Sequence, residues 1–147
     1  MVNTDLKNVI SKMTLQQKLA QISQYNANCL HIGASGEVTG PAQELSLRQE
    51  DISCVGSVLN FSDAKEVIEI QKEHLEKDPN KIPLLFMMDV VHGYKTIYPI
   101  PLALGASFDT DLAEECAEMA SEEMSCGGVN VTFAPMVDLV RDPRWGR

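Results

Sequence analysis

The sequence has few positive charges and few aromatic residues. Only 12 Lys and Arg side chains stand against 21 Asp and Glu in 147 residues, so the formal net charge is -9, and aromatic residues make up 5%. Nucleic-acid binding draws on a surplus of Lys and Arg, so this charge argues against a nucleic-acid partner. It also disfavours a phosphorylated ligand. We therefore expect a neutral or cationic partner.

Long apolar runs and a secretory signal are missing as well. No uninterrupted apolar stretch reaches the roughly 18 residues of a membrane span, so we expect no membrane partner. The opening MVNTDLKNVI has an acidic residue where the n-region of a signal peptide would be basic, and no apolar segment follows it. From these two absences we expect a cytoplasmic protein.

Several motifs that carry chemistry are absent. The 4 cysteines show no C-x-x-C spacing and the 3 histidines are scattered, which favours buried free thiols and predicts neither a metal site nor a cofactor. GASGEVTG fits neither the P-loop nor the dinucleotide pattern. The G-x-S-x-G elbow of serine hydrolases does not occur. These observations exclude the commonest nucleotide-binding and serine-hydrolase classes.

The chain instead contains alternating predicted helices and strands. A helical lead-in at about 1–23 includes Thr14 and Gln17 at the spacing of a capping box, and a long loop at about 24–48 follows it. Strand–helix units then occupy about 54–147. Such units predict a parallel α/β fold, with the carboxyl ends of the strands on one rim.

Three apolar runs define the predicted strands of these units: CVGSVLNF at 54–61, IPLLFMMDV at 82–90 and VNVTFAPM at 129–136. The first intervening helix is predicted to begin after an N-cap at Ser62, and the second is predicted to begin at Asp109 or Thr110. Gly127 and Gly128 are predicted to end that second helix.

Asp89 lies where the second of these strands ends. Ligands bind at the carboxyl ends of parallel strands in barrels and open sheets alike, so Asp89 is a candidate binding residue. The alternative is structural, because a strand-end Asp also serves turns or pairs with a nearby Lys. The sequence alone leaves both interpretations open.

The segment FAPMVDLVRDPRWGR, 133–147, follows the last predicted strand toward the same rim. One interpretation is a solvated loop whose arginines, Arg141, Arg144 and Arg147, pair with local acids. The other is a sugar site. Carboxylates and guanidinium groups form directional, charge-assisted hydrogen bonds to hydroxyls, and an indole covers the apolar face of a pyranose.

Three stretches carry a family resemblance: KMTLQQKLAQ, IPLLFMMDVVHGYKTIYPIPLALGASFD and VTFAPMVDLVRDPRWGR. In this order they resemble the N-terminal part of glycoside hydrolase family 3, in particular bacterial β-glucosidases. The resemblance implies that the chain is the N-terminal portion of a TIM-type (β/α) barrel, a single incomplete domain. It also implies hydrolysis of terminal non-reducing β-D-glucosyl residues by a retaining mechanism with two carboxylates.

The resemblance also implies roles for individual residues. Asp89 matches the Asp of the family's D-x-x-H-G motif and Arg147 closes the DPRWGR motif, so both are expected to bind the sugar of the substrate. Lys95, six positions after Asp89, is carried over from only some relatives. His92, Trp145 and Asp142 are expected to shape the loops.

The same resemblance assigns no catalytic residue to this chain. The family's nucleophile and acid/base residue lie downstream of DPRWGR. We therefore expect the 147 residues alone to be inactive, with the missing C-terminal part of the same enzyme as a partner. Two alternatives stay open: a non-catalytic sugar-binding or assembly module completed by another chain, and a parent enzyme that prefers β-xylosides or other β-glycosides.

Overall fold

A computed structural model describes residues 6–29, 44, 46, 52–61, 63–139, 141, 142 and 144. Most of the predicted loop at 24–48, including GASGEVTG, lies outside the described residues. The helices are α1 (Leu6–Lys12), α2 (Leu15–Gln21), α3 (Ala64–Lys77), α4 (Pro101–Ser107) and α5 (Thr110–Cys126). The strands are β1 (Gln24–Asn26), β2 (Ser57–Leu59), β3 (Leu85–Met88) and β4 (Val131–Thr132).

The four strands form one parallel sheet in the order β1-β2-β3-β4. Val58 pairs with Phe86, and Met88 pairs with Thr132. The predicted parallel α/β fold is therefore confirmed for the described residues. Its geometry brings the residues that follow β2, β3 and β4 to one rim.

The caps that begin the helices explain where the elements start. The Thr14 hydroxyl accepts the N–H of Gln17, and the Gln17 side chain accepts the N–H of Thr14, so the capping box is confirmed. Asp109 caps α5 as predicted. Asp63 rather than Ser62 caps α3, because its carboxylate accepts the N–H groups of the two following residues.

Two short elements escaped the sequence patterns. β1 occupies residues where we predicted a loop. The prediction missed it because three residues are too few to show the alternating pattern of a strand. The apolar stretch LALGASF belongs to α4, which begins with Pro101 at its first turn. Gly128 follows α5 with φ at 88°, a conformation that favours glycine at the end of a helix, as predicted.

The core consists of two clusters along one face of β3 and the residues that flank it. Phe61 and Phe86 are each 1% exposed and meet edge to face at 5.7 Å between ring centroids. A second cluster joins Val90 to α5 through Ala120 and Met124. The buried residues Phe86 and Val90 lie on one face of the extended chain, whereas Leu85 on the other face is 46% exposed. Packing on the buried face fixes the strand that precedes Asp89.

Within the described residues, no helix is both long enough and apolar enough to cross a membrane. All four cysteines lie in the described residues and none forms a disulfide: Cys29 and Cys116 are buried, Cys54 is half-buried and Cys126 is exposed. The expectation of buried thiols is therefore wrong for Cys126, which lies in the last turn of α5. In the part of the chain that the structure describes, no three His, Cys, Asp or Glu side chains come together as a metal site would require.

Candidate functional site

Asp89 lies directly after β3, at the carboxyl end of the sheet, and its side chain is exposed. Among the described residues its carboxylate has no hydrogen bond and no ion pair. All lysines of the chain lie in the described ranges, so the alternative of a Lys pair for Asp89 does not hold. The geometry leaves this carboxylate open to a ligand at the rim.

The backbone on either side of Asp89 is held by β4. Met88 pairs with Thr132 in the sheet, and its carbonyl accepts the N–H of Phe133 at 3.2 Å. The N–H of Val90 donates to the Thr132 hydroxyl at 3.3 Å. Asp89 therefore lies between two anchored residues although its own side chain is unpartnered among the described residues.

The loop after Asp89 closes on itself at residues 92–98. The N–H of Tyr98 donates to the carbonyl of His92 at 2.8 Å. Gly93 makes the closure possible, since its φ is 116° and a Cβ there would lie 1.9 Å from the carbonyl oxygen of Thr96. The exposed His92 thus belongs to a closed loop. The contact uses its backbone carbonyl, so a loop-shaping role of its side chain stays a prediction.

Glu123 on α5 binds this loop from the side. Its carboxylate accepts the N–H groups of Lys95 and Thr96, both at 2.9 Å, and the Thr96 hydroxyl at 3.0 Å. These bonds hold the pKa of Glu123 below its ordinary value of 4.5, and the bond from the Thr96 N–H has the largest effect. Partial burial opposes the shift but is the weaker influence. Glu123 therefore remains ionised and fixes the loop to α5.

The side chain of Lys95 is exposed and lies beside the Tyr94 ring. Its ammonium lies 5.9 Å from the centre of the Tyr94 ring. The pKa of Asp63 is lowered chiefly by the N–H of Glu66 and that of Glu123 chiefly by the N–H of Thr96, and the charge of Lys95 adds a smaller effect to both. Lys95 is thus an exposed cation beside a ring face, with no ion pair among the described residues. Its role toward a sugar stays a prediction.

The predicted arginine-rich segment is only partly described. Asp142 and Arg144 form an exposed ion pair in which the guanidinium donates three hydrogen bonds to the carboxylate and the Arg144 N–H donates a fourth. These bonds, chiefly those from the guanidinium, hold the pKa of Asp142 below its usual range. For Arg144 the local pairing expected of a solvated loop is thus observed. Trp145 and Arg147 lie outside the described residues. That Arg147 and Asp89 bind the same sugar therefore stays a prediction.

A groove of about 1030 Å³ lies beside this region. It is bounded by the loop after β3, by α4 and α5, and by the residues after β4, with Gly93, Phe108 and Pro135 among its lining. Asp89 does not line it. The groove and the predicted sugar-binding carboxylate are therefore separate features.

The sequence patterns did not single out Thr132, Glu123 or Asn60. Asn60 follows β2 with φ at 69°, and its N–H donates to the carbonyl of Met87, so it lies on the rim one strand away from Asp89. Asn tolerates a positive φ better than most residues do. The presence of an Asn directly after β2 was therefore the one sequence signal for this position. A single Thr in a strand or one Glu among several in a helix offers none.

Comparison with known proteins identifies relatives along the whole chain. The model of the glycosyl hydrolase family 3 N terminal domain matches residues 14–147. A periplasmic β-glucosidase of Salmonella typhimurium is 34% identical over 98% of this chain and 17% of its own length. A protein of Formosa agariphila named as a β-xylosidase is 30% identical over 95% of this chain and 20% of its own.

A solved structure is similar to this chain in both sequence and fold. It is a mutant β-glucosidase of Listeria innocua in complex with laminaribiose, 45% identical in sequence, with a TM-score of 0.89 over 100% of this chain and 21% of that one. This likeness confirms that the α/β fold is part of a TIM-barrel-type domain. The chain spans about a fifth of the length of the relatives it matches.

The expectation of a cytoplasmic protein is wrong. The Salmonella relative, which matches nearly all of this chain, is named as a periplasmic enzyme. Our expectation rested on the pattern of the opening residues and on the lack of a long apolar run in these 147 residues, and neither observation determines the compartment in which a protein works.

The fold, the relatives and the family model agree with the motifs quoted from the sequence. The match of the family model extends over far more than half of the residues. This chain therefore belongs to glycosyl hydrolase family 3, in the part described as its N terminal domain.

Proposed function

We propose that the protein hydrolyses terminal non-reducing β-D-glucosyl residues and that these 147 residues supply part of the subsite for that sugar. The observation that carries the proposal is Asp89: an exposed carboxylate at the carboxyl end of β3, without a partner among the described residues. This is the rim at which (β/α) barrels bind their substrates. An ionised carboxylate accepts strong, directional hydrogen bonds from sugar hydroxyls.

In this proposal Asp89 accepts hydrogen bonds from hydroxyls of the glucosyl residue. Arg147 donates to the same sugar, a role that rests on its place in the DPRWGR motif. Lys95 is the weaker third member, because its counterpart occurs in only some relatives and its exposed ammonium lies beside the Tyr94 ring. A glycoside is the small-molecule substrate, with no role for a nucleic acid or a membrane.

The bond-breaking chemistry is not proposed for this segment. A retaining glycosidase needs a nucleophilic carboxylate and an acid/base carboxylate about 5–5.5 Å apart. The described sheet has four strands, and a complete barrel has about eight. We expect the catalytic carboxylates on other strands and no turnover by the 147 residues in isolation.

Exposed apolar side chains support a partner that completes the fold. Leu102 on α4 is 75% exposed, and Phe108 directly after α4 is 94% exposed. Val137 and Leu139 in the segment after β4 are 81% and 87% exposed. Burial of such surface against further parts of the same enzyme is the option we favour. An assembly module completed by a separate chain is the alternative.

Activity measurements on the protein at its full encoded length test the proposal. We expect hydrolysis of laminaribiose and of an aryl β-D-glucoside, with retention of anomeric configuration in the first product observed by NMR. Because one relative is named as a β-xylosidase, the matched aryl β-D-xyloside is assayed beside them. Higher kcat/KM for the xyloside would favour that alternative, and glucose binding without turnover of any β-glycoside would favour the non-catalytic module.

A further inference from the structure

The Thr132 hydroxyl oxygen connects two loops of the rim. It accepts the N–H of Val90 at 3.3 Å and the N–H of Ala134 at 3.3 Å. Val90 is the residue after Asp89, and Ala134 is the second residue after β4. One hydroxyl therefore joins the backbone that leaves β3 to the backbone that leaves β4.

We propose that Thr132 is a positioning residue, which sets the place of Asp89 relative to the segment that follows β4. This inference rests on the proposed function, because it assigns Thr132 to the same sugar subsite. Thr132 acts through the backbone of Val90 and is not proposed to contact the sugar.

The sheet explains why one hydroxyl has this effect. Met88 is already paired with Thr132, so the Thr132 side chain stands beside the point where the chain turns out of β3. The side chain of Val90 is 5% exposed and packs in the cluster with Ala120 and Met124. Asp89 is then the single outward-facing residue between two fixed neighbours.

Removal of the hydroxyl would leave two backbone N–H groups without this acceptor. A half-buried N–H that loses its acceptor either finds water or moves the chain, and both outcomes loosen the backbone around it. The loss is local, since the pairing of β3 with β4 does not depend on the Thr132 side chain. We therefore expect the backbone around Asp89 to become more mobile while the fold stays intact.

The test compares Thr132→Val, which keeps the shape but removes the acceptor, with Thr132→Ser, which keeps the acceptor. Thr110→Val serves as the matched control, because Thr110 is exposed at the start of α5 and its hydroxyl accepts no hydrogen bond from Val90 or Ala134. All variants are made in the protein at its full encoded length. Amide hydrogen exchange and kcat/KM for an aryl β-D-glucoside are measured for each.

We expect Thr132→Val to accelerate exchange at Val90 and Ala134 and to lower kcat/KM by about tenfold, the usual effect of one or two lost hydrogen bonds. Thr132→Ser should keep the exchange rates and kcat/KM close to the wild-type values, and so should Thr110→Val. Equal losses in the Ser and Val variants, or unchanged exchange in Thr132→Val, would overturn the positioning role. If the wild-type protein cleaves no β-glycoside, the proposed hydrolytic function fails, and the exchange rates at Val90, Ala134 and Asp89 still decide this inference.

Discussion

Glu123 and Thr96 contact each other at two points. The Glu123 carboxylate accepts both the backbone N–H of Thr96 at 2.9 Å and its side-chain hydroxyl at 3.0 Å. The two residues are 27 positions apart in the chain, so the contact ties the loop after β3 to the far end of α5. A carboxylate with several donors is more strongly held as the anion than as the neutral acid.

The first prediction concerns the pH dependence of this contact. The pKa of Glu123 in the folded chain lies below its ordinary value of 4.5, chiefly because of the Thr96 N–H. A group whose pKa is lowered by folding contributes stability at pH values above its unfolded pKa and loses that contribution as the pH falls through its folded pKa. Glu123→Gln should therefore be less stable than wild type at neutral pH, and the gap should narrow below about pH 4.5.

Urea unfolding of both proteins between pH 3 and 7 measures this gap, since the midpoint shift at constant m-value reports stability. Glu122→Gln is the matched control, as Glu122 is the exposed neighbour on the same helix. A gap that is constant over the whole pH range would contradict the role given to the Glu123 carboxylate.

The second prediction concerns Gly93. Its φ of 116° is rare for residues with a side chain, and a Cβ would lie 1.9 Å from the Thr96 carbonyl oxygen. We expect Gly93→Ala to destabilise the chain by more than the ~1–3 kcal/mol of backbone strain alone. Gly105→Ala is the control: nothing lies within 4 Å of a Cβ there, and in a helix this change should stabilise by roughly 0.5–1 kcal/mol. Equal effects of the two substitutions on the urea midpoint would refute the argument.

The sequence predicted the parts of this fold that depend on local pattern. The continuous apolar run of β3 and the glycines after α5 located those elements, and the end of β3 located Asp89. β1 was missed because it has three residues, and α4 because its seven residues carry no amphipathic period.

The supports of the candidate site could not be predicted in this way. The bond between Val90 and Thr132 joins residues 42 positions apart, and the bond between Thr96 and Glu123 joins residues 27 apart. Neither Thr132 nor Glu123 differs in its local pattern from a solvent-facing residue of the same element. Only the three-dimensional arrangement reveals which hydroxyl and which carboxylate hold the rim.

The third prediction concerns the core that fixes β3. Phe86 is 1% exposed and meets Phe61 edge to face, so Phe86→Ala removes a buried ring and should cost about 3–5 kcal/mol in the free energy of unfolding. Phe108→Ala is the control in the 147-residue chain, because Phe108 is 94% exposed there and such a surface change should stay within about 0.5 kcal/mol. A comparable loss in both variants would show that β3 is not held by the Phe61 and Phe86 pair.

The last prediction concerns Asp89 itself. Because its carboxylate makes no bond to another described residue, Asp89→Asn should leave the unfolding midpoint almost unchanged. The same variant should lower kcat/KM for an aryl β-D-glucoside by at least about tenfold, since a hydrogen bond to a charged group contributes about 1.5–3 kcal/mol. Glu76→Gln, an exposed acid near the end of α3, removes the same charge away from the rim and should affect neither quantity. A structural Asp89 would give the reverse result, with a lowered midpoint and unchanged kcat/KM, so the two measurements together separate the ligand-binding role from the turn-forming one.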